Sequence, residues 1–223
     1  MEITINPQLR AEIPKLQFGI IQYDNITIGD SPQMLKGRLR LFQESIYFEL
    51  ENKNVNEYKE INEWRTIFKQ LGKDPNRYRH SAEALYRRIK KQNYIETLNS
   101  GADINNFFSM QYRIPIGLYD RDCIYGPVTL RKGSANETYT GLNGRVNQLE
   151  HLLLSADDQG AFGSPFVDST RTVVTDKTKN GLQIVYLPTD LEKDRAKQLL
   201  ESLMTMFTQV NGGEATYSII NCF

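Results

Sequence analysis

The segment around which the chain is organised is Gly101–Asp120, with the sequence GADINNFFSMQYRIPIGLYD. Polar side chains open it, an apolar run follows, and a segment of proline, apolar residues and glycine closes it. Asp103 is positioned to cap a helix over residues 104–112. Asn105 and Asn106 can each donate and accept hydrogen bonds, which suits a polar ligand held inside a core. The plainer interpretation is that these residues only begin a capped helix.

Length and composition describe an ordinary globular protein. The chain has 223 residues, 39% of them hydrophobic, and its 27 basic and 27 acidic residues cancel. This neutrality argues against a protein that coats nucleic acid over its whole surface, but a local basic patch remains compatible with it. The sequence shows neither a membrane span nor a signal peptide, and Cys123 and Cys222 do not form a disulfide framework. We therefore expect a cytoplasmic protein.

Charge is segregated along the chain. Residues 43–64 contain six glutamates and two lysines, whereas residues 77–91 contain six basic residues and one glutamate. The six basic residues are Arg77, Arg79, Arg87, Arg88, Lys90 and Lys91. They suit contact with the phosphate backbone of RNA, specifically tRNA. A solvated helix face with cations near its C-terminus explains them as well.

Hydrophobic periodicity predicts helices first, then short strands, then a last helix. The predicted helices cover residues 7–13, a segment capped at Ser31-Pro32 and running to Leu50, a segment ending at Gly72, residues 81–91, residues 104–112, and a segment from a Thr189–Glu192 capping box to residues 211–213. The predicted strands cover residues 2–5, 16–20, 26–28, 127–131, 152–154, 182–186 and 216–220. Residues 133–144 are predicted to be a loop. This order predicts one α+β domain over residues 1–223, in which two lobes would meet near residue 100.

Standard catalytic motifs are missing from the sequence. It contains no glycine-rich phosphate loop and no cysteine or histidine pair at metal-ligand spacing, so we expect no cofactor and no metal. His80 and His151 are the only imidazoles, and we interpret both as structural or surface residues. Residues 168–172 are rich in hydroxyl groups, which fits either a site or a Ser/Thr turn. An activated ester can still be hydrolysed by a positioned water without a side-chain nucleophile.

Two motifs carry a family resemblance. Residues 103–106 (DINN) and 115–120 (PIGLYD) follow, across one apolar helix, the pattern V-D-I-T-N and P-L-H-A-F-D. The chain thereby resembles the B3/B4 domain of the phenylalanyl-tRNA synthetase β subunit, and more closely the freestanding B3/B4 proteins of bacteria. The resemblance covers about residues 64–186 and loosely the whole chain. It implies a layered α+β fold of mixed sheets flanked by helices, and editing, which is the hydrolysis of mischarged aminoacyl-tRNA.

The resemblance also implies a set of site residues. The catalytic candidates are Asn105, Asn106, Asp168 and Ser169. The substrate-binding candidates are Pro115, Gly117, Tyr119, Arg131, Glu137, Ser164, Arg171 and Thr172. The family's threonine, histidine and glutamate correspond here to Asn105, Gly117 and Ile184. Because this glutamate recognises the tyrosine hydroxyl in the synthetase, we expect a substrate other than tyrosyl-tRNA(Phe).

Three functions remain open from the sequence. The first is a deacylase that acts in trans on mischarged tRNA. The second is a module of the same fold that binds RNA or an amino-acid-like ligand without catalysis, because a fold does not determine a function. The third is a hydrolase of small amino-acid esters that needs no RNA. The basic residues between 77 and 91 distinguish the first two functions from the third.

Overall fold

A computed structural model describes residues 1–221, so Cys222 lies outside the described part of the chain. The helices are α1 (Pro7–Glu12), α2 (Gln33–Glu49), α3 (Lys59–Leu71), α4 (Ser81–Lys90), α5 (Ser100–Tyr112) and α6 (Lys193–Asn211). The strands are β1 (Ile3–Ile5), β2 (Gln17–Asp24), β3 (Ile116–Asp120), β4 (Val128–Lys132), β5 (Thr138–Thr140), β6 (Val146–Gln148), β7 (Leu153–Asp157), β8 (Gly160–Gly163), β9 (Gly181–Leu187) and β10 (Glu214–Asn221). The predicted α+β class is confirmed. None of the helices within residues 1–221 is long and apolar enough to cross a membrane.

Two four-stranded sheets form the framework of the fold. The central sheet has the order β10-β2-β9-β3 and is antiparallel throughout. The outer sheet has the order β1-β4-β7-β8 and is mixed, because β1 runs parallel to β4. Strands β5 and β6 form a separate two-stranded ribbon. The predicted arrangement of mixed sheets and flanking helices is therefore confirmed.

Strand β9 separates the two hydrophobic cores. All of its residues are buried, as expected for a strand covered on both faces. Leu182, Ile184 and Tyr186 pack with Trp64 between the central and outer sheets, where Trp64 and Tyr186 meet edge-to-face at 5.6 Å. Val185 belongs to the other core, which contains residues of α2, α5 and α6. Because successive side chains of a strand point to opposite faces, each face of the central sheet supplies one core.

The sequence signals around α3 and α4 are confirmed. Helix α3 ends at Gly72, which adopts a left-handed φ of 100°. His80 precedes α4 and is buried, and its Nδ1 accepts a hydrogen bond from the Glu83 backbone N–H at 3.3 Å. Its Nε2 bonds the Ile61 carbonyl oxygen at 3.2 Å. Burial lowers the pKa of His80 to about 3, so this imidazole is neutral and structural. His151 lies on the surface.

The predicted caps of α2 and α5 are wrong. Helix α2 has Pro32 in the cap position, and Ser31 Oγ instead donates to Asp103 Oδ2 at 2.5 Å. Asp103 is buried in the first turn of α5 and also accepts from the Leu98 backbone N–H at 2.9 Å. The cap of α5 is Asn99, four residues earlier than predicted. Both candidate caps are thus used in one tertiary contact that sequence spacing does not reveal.

Three further local predictions differ from the structure. The Thr189–Glu192 capping box does not form, because Thr189 donates its hydroxyl to Glu63 Oε1 at 2.6 Å and Glu192 makes no side-chain cap bond. Residues 26–28 are not a strand; the backbone N–H of Ile26 bonds the Lys179 carbonyl at 2.9 Å. The predicted loop at 133–144 contains strand β5. In the first two cases a distant segment supplies the hydrogen-bond partner, whereas β5 pairs with the neighbouring strand β6.

The buried Ser31–Asp103 contact gives a stability prediction. We expect Asp103→Ala to lower the free energy of unfolding by about 2–3 kcal/mol, because the Ser31 hydroxyl and the Leu98 N–H would lose their partner in the interior. Urea denaturation measures this change. Asp176→Ala, at an exposed position, is the matched control and should change stability by less than about 0.5 kcal/mol. Equal losses in both variants would contradict the assignment.

Candidate functional site

All six predicted tRNA-contact residues line one groove of about 840 Å³. We call it the basic groove; its walls also include Ala84, Asn93, Asn143, Phe166 and Val167. The structure thus collects Arg77, Arg79, Arg87, Arg88, Lys90 and Lys91 into a single surface with no acidic side chain among the lining residues. Such a surface attracts a polyanion locally even though the whole chain is neutral.

A buried glutamate fixes part of the basic groove. Glu83 is fully buried and accepts hydrogen bonds from Arg65 and Arg87, each at 2.7 Å. Arg87 also donates to the Asn56 side chain at 2.8 Å. Removing one partner of a buried ion pair is strongly destabilising, so Arg87 has a structural role beside any role in binding. Arg88 is exposed and forms no ion pair within residues 1–221.

The segment 164–168 joins the basic groove to the interior. Phe166 and Val167 line the groove, and Phe166 contacts Tyr78 edge-to-face at 5.5 Å. The carbonyl of Pro165 accepts a hydrogen bond from the Ser81 backbone N–H at 2.8 Å, which attaches the segment to the start of α4. Asp168, at the end of the same segment, contacts the interior instead. We call residues 164–168 the connecting loop.

Hydrogen bonds from two hydroxyl groups stabilise the conformation of the connecting loop. Ser164 is buried, and its Oγ accepts from the backbone N–H groups of Phe166 and Val167 at 3.2 and 3.1 Å. The Tyr139 hydroxyl contacts Ser164 Oγ at 3.1 Å and also donates to the Val167 carbonyl. Ser164 therefore shapes the loop. Tyr139 was missed by the sequence analysis because it lies in a segment predicted to be irregular.

Asp168, at the interior end of the connecting loop, is a carboxyl group with a strongly raised pKa. Its Oδ1 accepts from the Tyr119 hydroxyl at 2.7 Å and from the Ser164 backbone N–H at 3.2 Å. The residue keeps some solvent contact, but protein atoms closely surround its carboxyl group. Burial raises the pKa of Asp168 to about 7, and the two hydrogen bonds only partly oppose this rise. Its Oδ2 accepts no hydrogen bond from a side chain or backbone group of residues 1–221.

Two glycines admit the phenol of Tyr119. A Cβ atom at Gly117 would lie 2.0 Å from the Tyr119 hydroxyl oxygen, and a Cβ at Gly163 would lie 2.2 Å from it. Tyr119 is fully buried, so its ring fills the space between the two glycines. Gly117, a substrate-binding candidate, therefore makes room for a side chain of the protein itself. Gly163 was not identified from the sequence, because only the tertiary structure shows what a Cβ would meet.

Asn105 and Asp168 lie on opposite faces of the central sheet. The Asn105 amide donates to the Ile116 carbonyl at 2.8 Å and accepts from Gln183 Nε2 at 3.0 Å. Gln183 shares its face of the sheet with the core that contains α5, whereas Tyr119, the partner of Asp168, packs in the other core. The catalytic candidates are therefore not brought into one cluster. Asn106 is partly buried, and its side chain makes no hydrogen bond within residues 1–221.

The hydroxyl-rich segment forms a local turn. Ser169 Oγ accepts from the Arg171 backbone N–H at 3.2 Å, which is the geometry of a Ser/Thr turn. Thr172 is fully buried, and its hydroxyl has no hydrogen-bond partner within residues 1–221. Pro115 contributes its carbonyl to the sheet, where it accepts from the Tyr186 N–H at 3.1 Å. Ser169 therefore shapes a turn, Thr172 packs in the interior, and Pro115 joins the sheet through its backbone.

Both arginines among the substrate-binding candidates are paired with carboxylates. Arg131 donates twice to Glu137, at 2.9 and 2.6 Å, and these hydrogen bonds hold the pKa of Glu137 below its usual range. Arg171 donates twice to Asp157, at 3.0 and 2.8 Å. Burial opposes ionisation of Asp157, but the hydrogen bonds outweigh it and lower the net pKa. A bidentate partner leaves each guanidinium fewer donors for a ligand.

Comparisons with known proteins identify a domain family and several relatives. The profile of the B3/4 domain matches residues 63–206. The chain is 34% identical over 216 residues to "Uncharacterized protein YhzB" of Bacillus subtilis (strain 168), covering 97% of this chain and 98% of that protein. It is 28% identical over 88 residues to the phenylalanine–tRNA ligase beta subunit of Fusobacterium nucleatum, covering 39% of this chain and 11% of the ligase subunit.

The chain also resembles a solved structure. This is the crystal structure of an N-terminal fragment of the phenylalanyl-tRNA synthetase β subunit from Pyrococcus horikoshii, with a TM-score of 0.48 and 14% sequence identity. The match covers 96% of this chain and 50% of that fragment.

Within residues 1–221, no cluster of three or more histidine, cysteine, aspartate or glutamate side chains is arranged to hold a metal.

The environment of Asp168 predicts a pH-dependent stability. Because its folded-state pKa of about 7 exceeds an unfolded value of about 4, the folded state binds the proton more tightly and loses relative stability as pH rises through this window. Asp168→Asn keeps an oxygen acceptor but cannot titrate. We expect the variant to gain roughly 2–3 kcal/mol relative to wild type between pH 5 and 8, measured by urea denaturation. Asp176→Asn is the control, and a constant difference between Asp168→Asn and wild type across this range would contradict the raised pKa.

Proposed function

The chain belongs to the B3/4 domain family, and from this premise we propose that it hydrolyses the ester bond of mischarged aminoacyl-tRNA, acting in trans. Two features support the proposal: a groove of cations that suits an RNA backbone, and an aspartate of raised pKa at the interior end of the loop that lines this groove. Relatives named as phenylalanine–tRNA ligase beta subunits agree with a role on tRNA. The observation that carries the proposal is the connecting loop, because its Phe166 and Val167 line the groove while its Asp168 contacts the interior.

The basic groove would hold tRNA through its phosphates. Arg77, Arg79 and Arg88 are exposed, and Lys90 and Lys91 extend the same surface. Phe166 adds an aromatic ring on which a base could stack, a contact that tolerates any base because every base has a π-face. Contacts of this kind release counterions, so affinity should fall steeply with salt. We assign Arg87 a smaller share because Glu83 and Asn56 already bind it.

Asp168 would act as the general base in the hydrolytic step. With a pKa of about 7, its carboxyl is partly ionised at neutral pH and can accept a proton from water. The water oxygen attacks the ester carbonyl carbon, and its proton passes to Asp168 Oδ2. The bond between that carbon and the ribose oxygen then breaks, and the ribose oxygen takes the proton from Asp168, which returns the carboxylate to its starting state. The products are a free amino acid and tRNA with a free terminal hydroxyl.

The remaining candidates have supporting parts in this proposal. Ser164 and its backbone N–H hold Asp168 in place, while Ser169 shapes the turn that follows. Asn106 offers a partly buried amide for the amino acid or the terminal ribose. Asn105 positions α5 against β3 through its bond to Ile116. No step in the proposal uses a metal or an organic cofactor.

A second function is favoured by a specific observation. The Tyr119 phenol fills the space between Gly117 and Gly163, and both groups of the Asn105 amide are bonded to the protein. A protein whose own side chains occupy both of these places, on opposite faces of the central sheet, could bind tRNA in the basic groove without hydrolysing it. The two functions share the RNA-binding surface and differ only in turnover, so they are separable by experiment.

The basic groove predicts a loss of RNA binding on charge reversal. We expect Arg79→Glu/Arg88→Glu to weaken tRNA binding by about 100-fold or more at low salt, because two phosphate contacts become repulsive. Filter binding across a salt series measures both affinity and slope. Arg10→Glu reverses an exposed charge on α1, outside the groove, and should leave affinity unchanged. If the groove variant binds as tightly as Arg10→Glu, the groove is not the RNA site.

The catalytic role of Asp168 predicts selective turnover. We expect the purified protein to deacylate one mischarged tRNA in a panel and to spare its correctly charged counterpart, with a rate that rises with pH through about 7. Asp168→Asn should lower this rate by about 100-fold or more while tRNA affinity stays the same. Release of the labelled amino acid measures the rate. Binding of tRNA without turnover across the panel would favour the second function. Hydrolysis of small amino-acid esters by Arg79→Glu/Arg88→Glu, without RNA present, would favour an RNA-independent hydrolase.

A further inference from the structure

One face of α2 carries large apolar side chains that solvent reaches. Met34, Leu41 and Phe48 are 75%, 68% and 63% exposed. Because they are seven residues apart, they form one line along the helix. Single exposed apolar residues are common, but a continuous line of them marks an interaction surface. We propose that this face binds the same face of a second copy of this chain, as an antiparallel pair of α2 helices.

The apolar line is symmetric about Leu41. In an antiparallel pair related by a two-fold axis at Leu41, residues equally far from it on the two helices lie opposite each other. Met34 then lies opposite Phe48 of the second copy, and Leu41 lies opposite its own equivalent. Gly37 lies opposite Ser45, and these small residues let the two helices approach closely. Both line a shallow hollow of about 600 Å³ on this face, which can receive a side chain of the second copy.

Charge favours a second copy in this orientation. The first half of α2 carries Lys36, Arg38 and Arg40 and no acidic residue, while the second half carries Glu44 and Glu49 and no basic residue. An antiparallel pair therefore places each basic half beside an acidic half. Arg40 and Glu44 lie on the same flank of the apolar line, where they contact each other within one helix, so each Arg40 also lies beside Glu44 of the second copy. A parallel pair would bring like charges together. Because both the basic half and the acidic half belong to α2, the helix is complementary in charge to an antiparallel copy of itself. This complementarity identifies a second copy of the chain as the partner.

The proposal predicts a dimer that depends on Leu41. Sedimentation equilibrium of the full chain should give twice the 25.7 kDa mass at high concentration, with a dissociation constant on the order of micromolar, since one helix pair is smaller than a standard interface. Leu41→Glu places two carboxylates against each other and should weaken association at least about 100-fold. Val146→Glu is the control: Val146 is 69% exposed on β6 and should leave the dimer intact.

A charge exchange tests the orientation. Arg40→Glu and Glu44→Arg should each weaken the dimer about tenfold or more, and the double variant should return to the wild-type affinity, because opposite charges lie beside each other again. A monomer at concentrations up to about 100 μM would overturn the proposal. A dimer that survives Leu41→Glu would also overturn it. A double variant no stronger than the single variants would exclude the antiparallel pairing. These readouts do not involve RNA or turnover, so they are independent of the proposed function.

Discussion

The central constraint on this molecule is that strand β9 is buried on both faces. Its apolar side chains supply two separate cores, so the helices and the outer sheet must cover opposite sides of one sheet. The single amide side chain of the strand, that of Gln183, is satisfied by Tyr23 and Asn105. This pairing explains the position of Asn105 on α5. Asn105, a catalytic candidate from the sequence, therefore also satisfies a buried polar group of the fold.

The same division governs the candidate site. Tyr119 and Asp168 lie with the core between the two sheets, while Asn105 lies on the other face. The aspartate has a raised pKa because it is buried beside a neutral phenol rather than beside a cation. Arg131 and Arg171 are paired with Glu137 and Asp157 instead, and the hydrogen bonds to the Asp168 carboxyl come from Tyr119 and Ser164.

The basic groove illustrates how a neutral protein concentrates charge. Glu83 lies beneath the groove and binds Arg65 and Arg87, so the carboxylate is inside and the unpaired cations are outside. Part of the basic sequence between residues 77 and 91 is therefore structural and part faces solvent. The connecting loop then brings Phe166 to this surface. Charge segregation along the chain becomes charge segregation in space because α4 buries Glu83 and exposes Arg88.

The sequence by itself determined the α+β class, most helices and strands, the end of α3 at Gly72 and the basic surface, because these depend on local periodicity, turn chemistry and the charges of nearby residues. Only the tertiary structure decided the partners of polar side chains. Ser31 and Asp103 look like helix caps, yet they bind each other across 72 residues. The division of Asn105 from Asp168 likewise depends on strand register and on which face of a sheet each neighbour covers. Both depend on packing between segments that are distant in sequence, because this packing determines which polar groups are close enough to form a hydrogen bond.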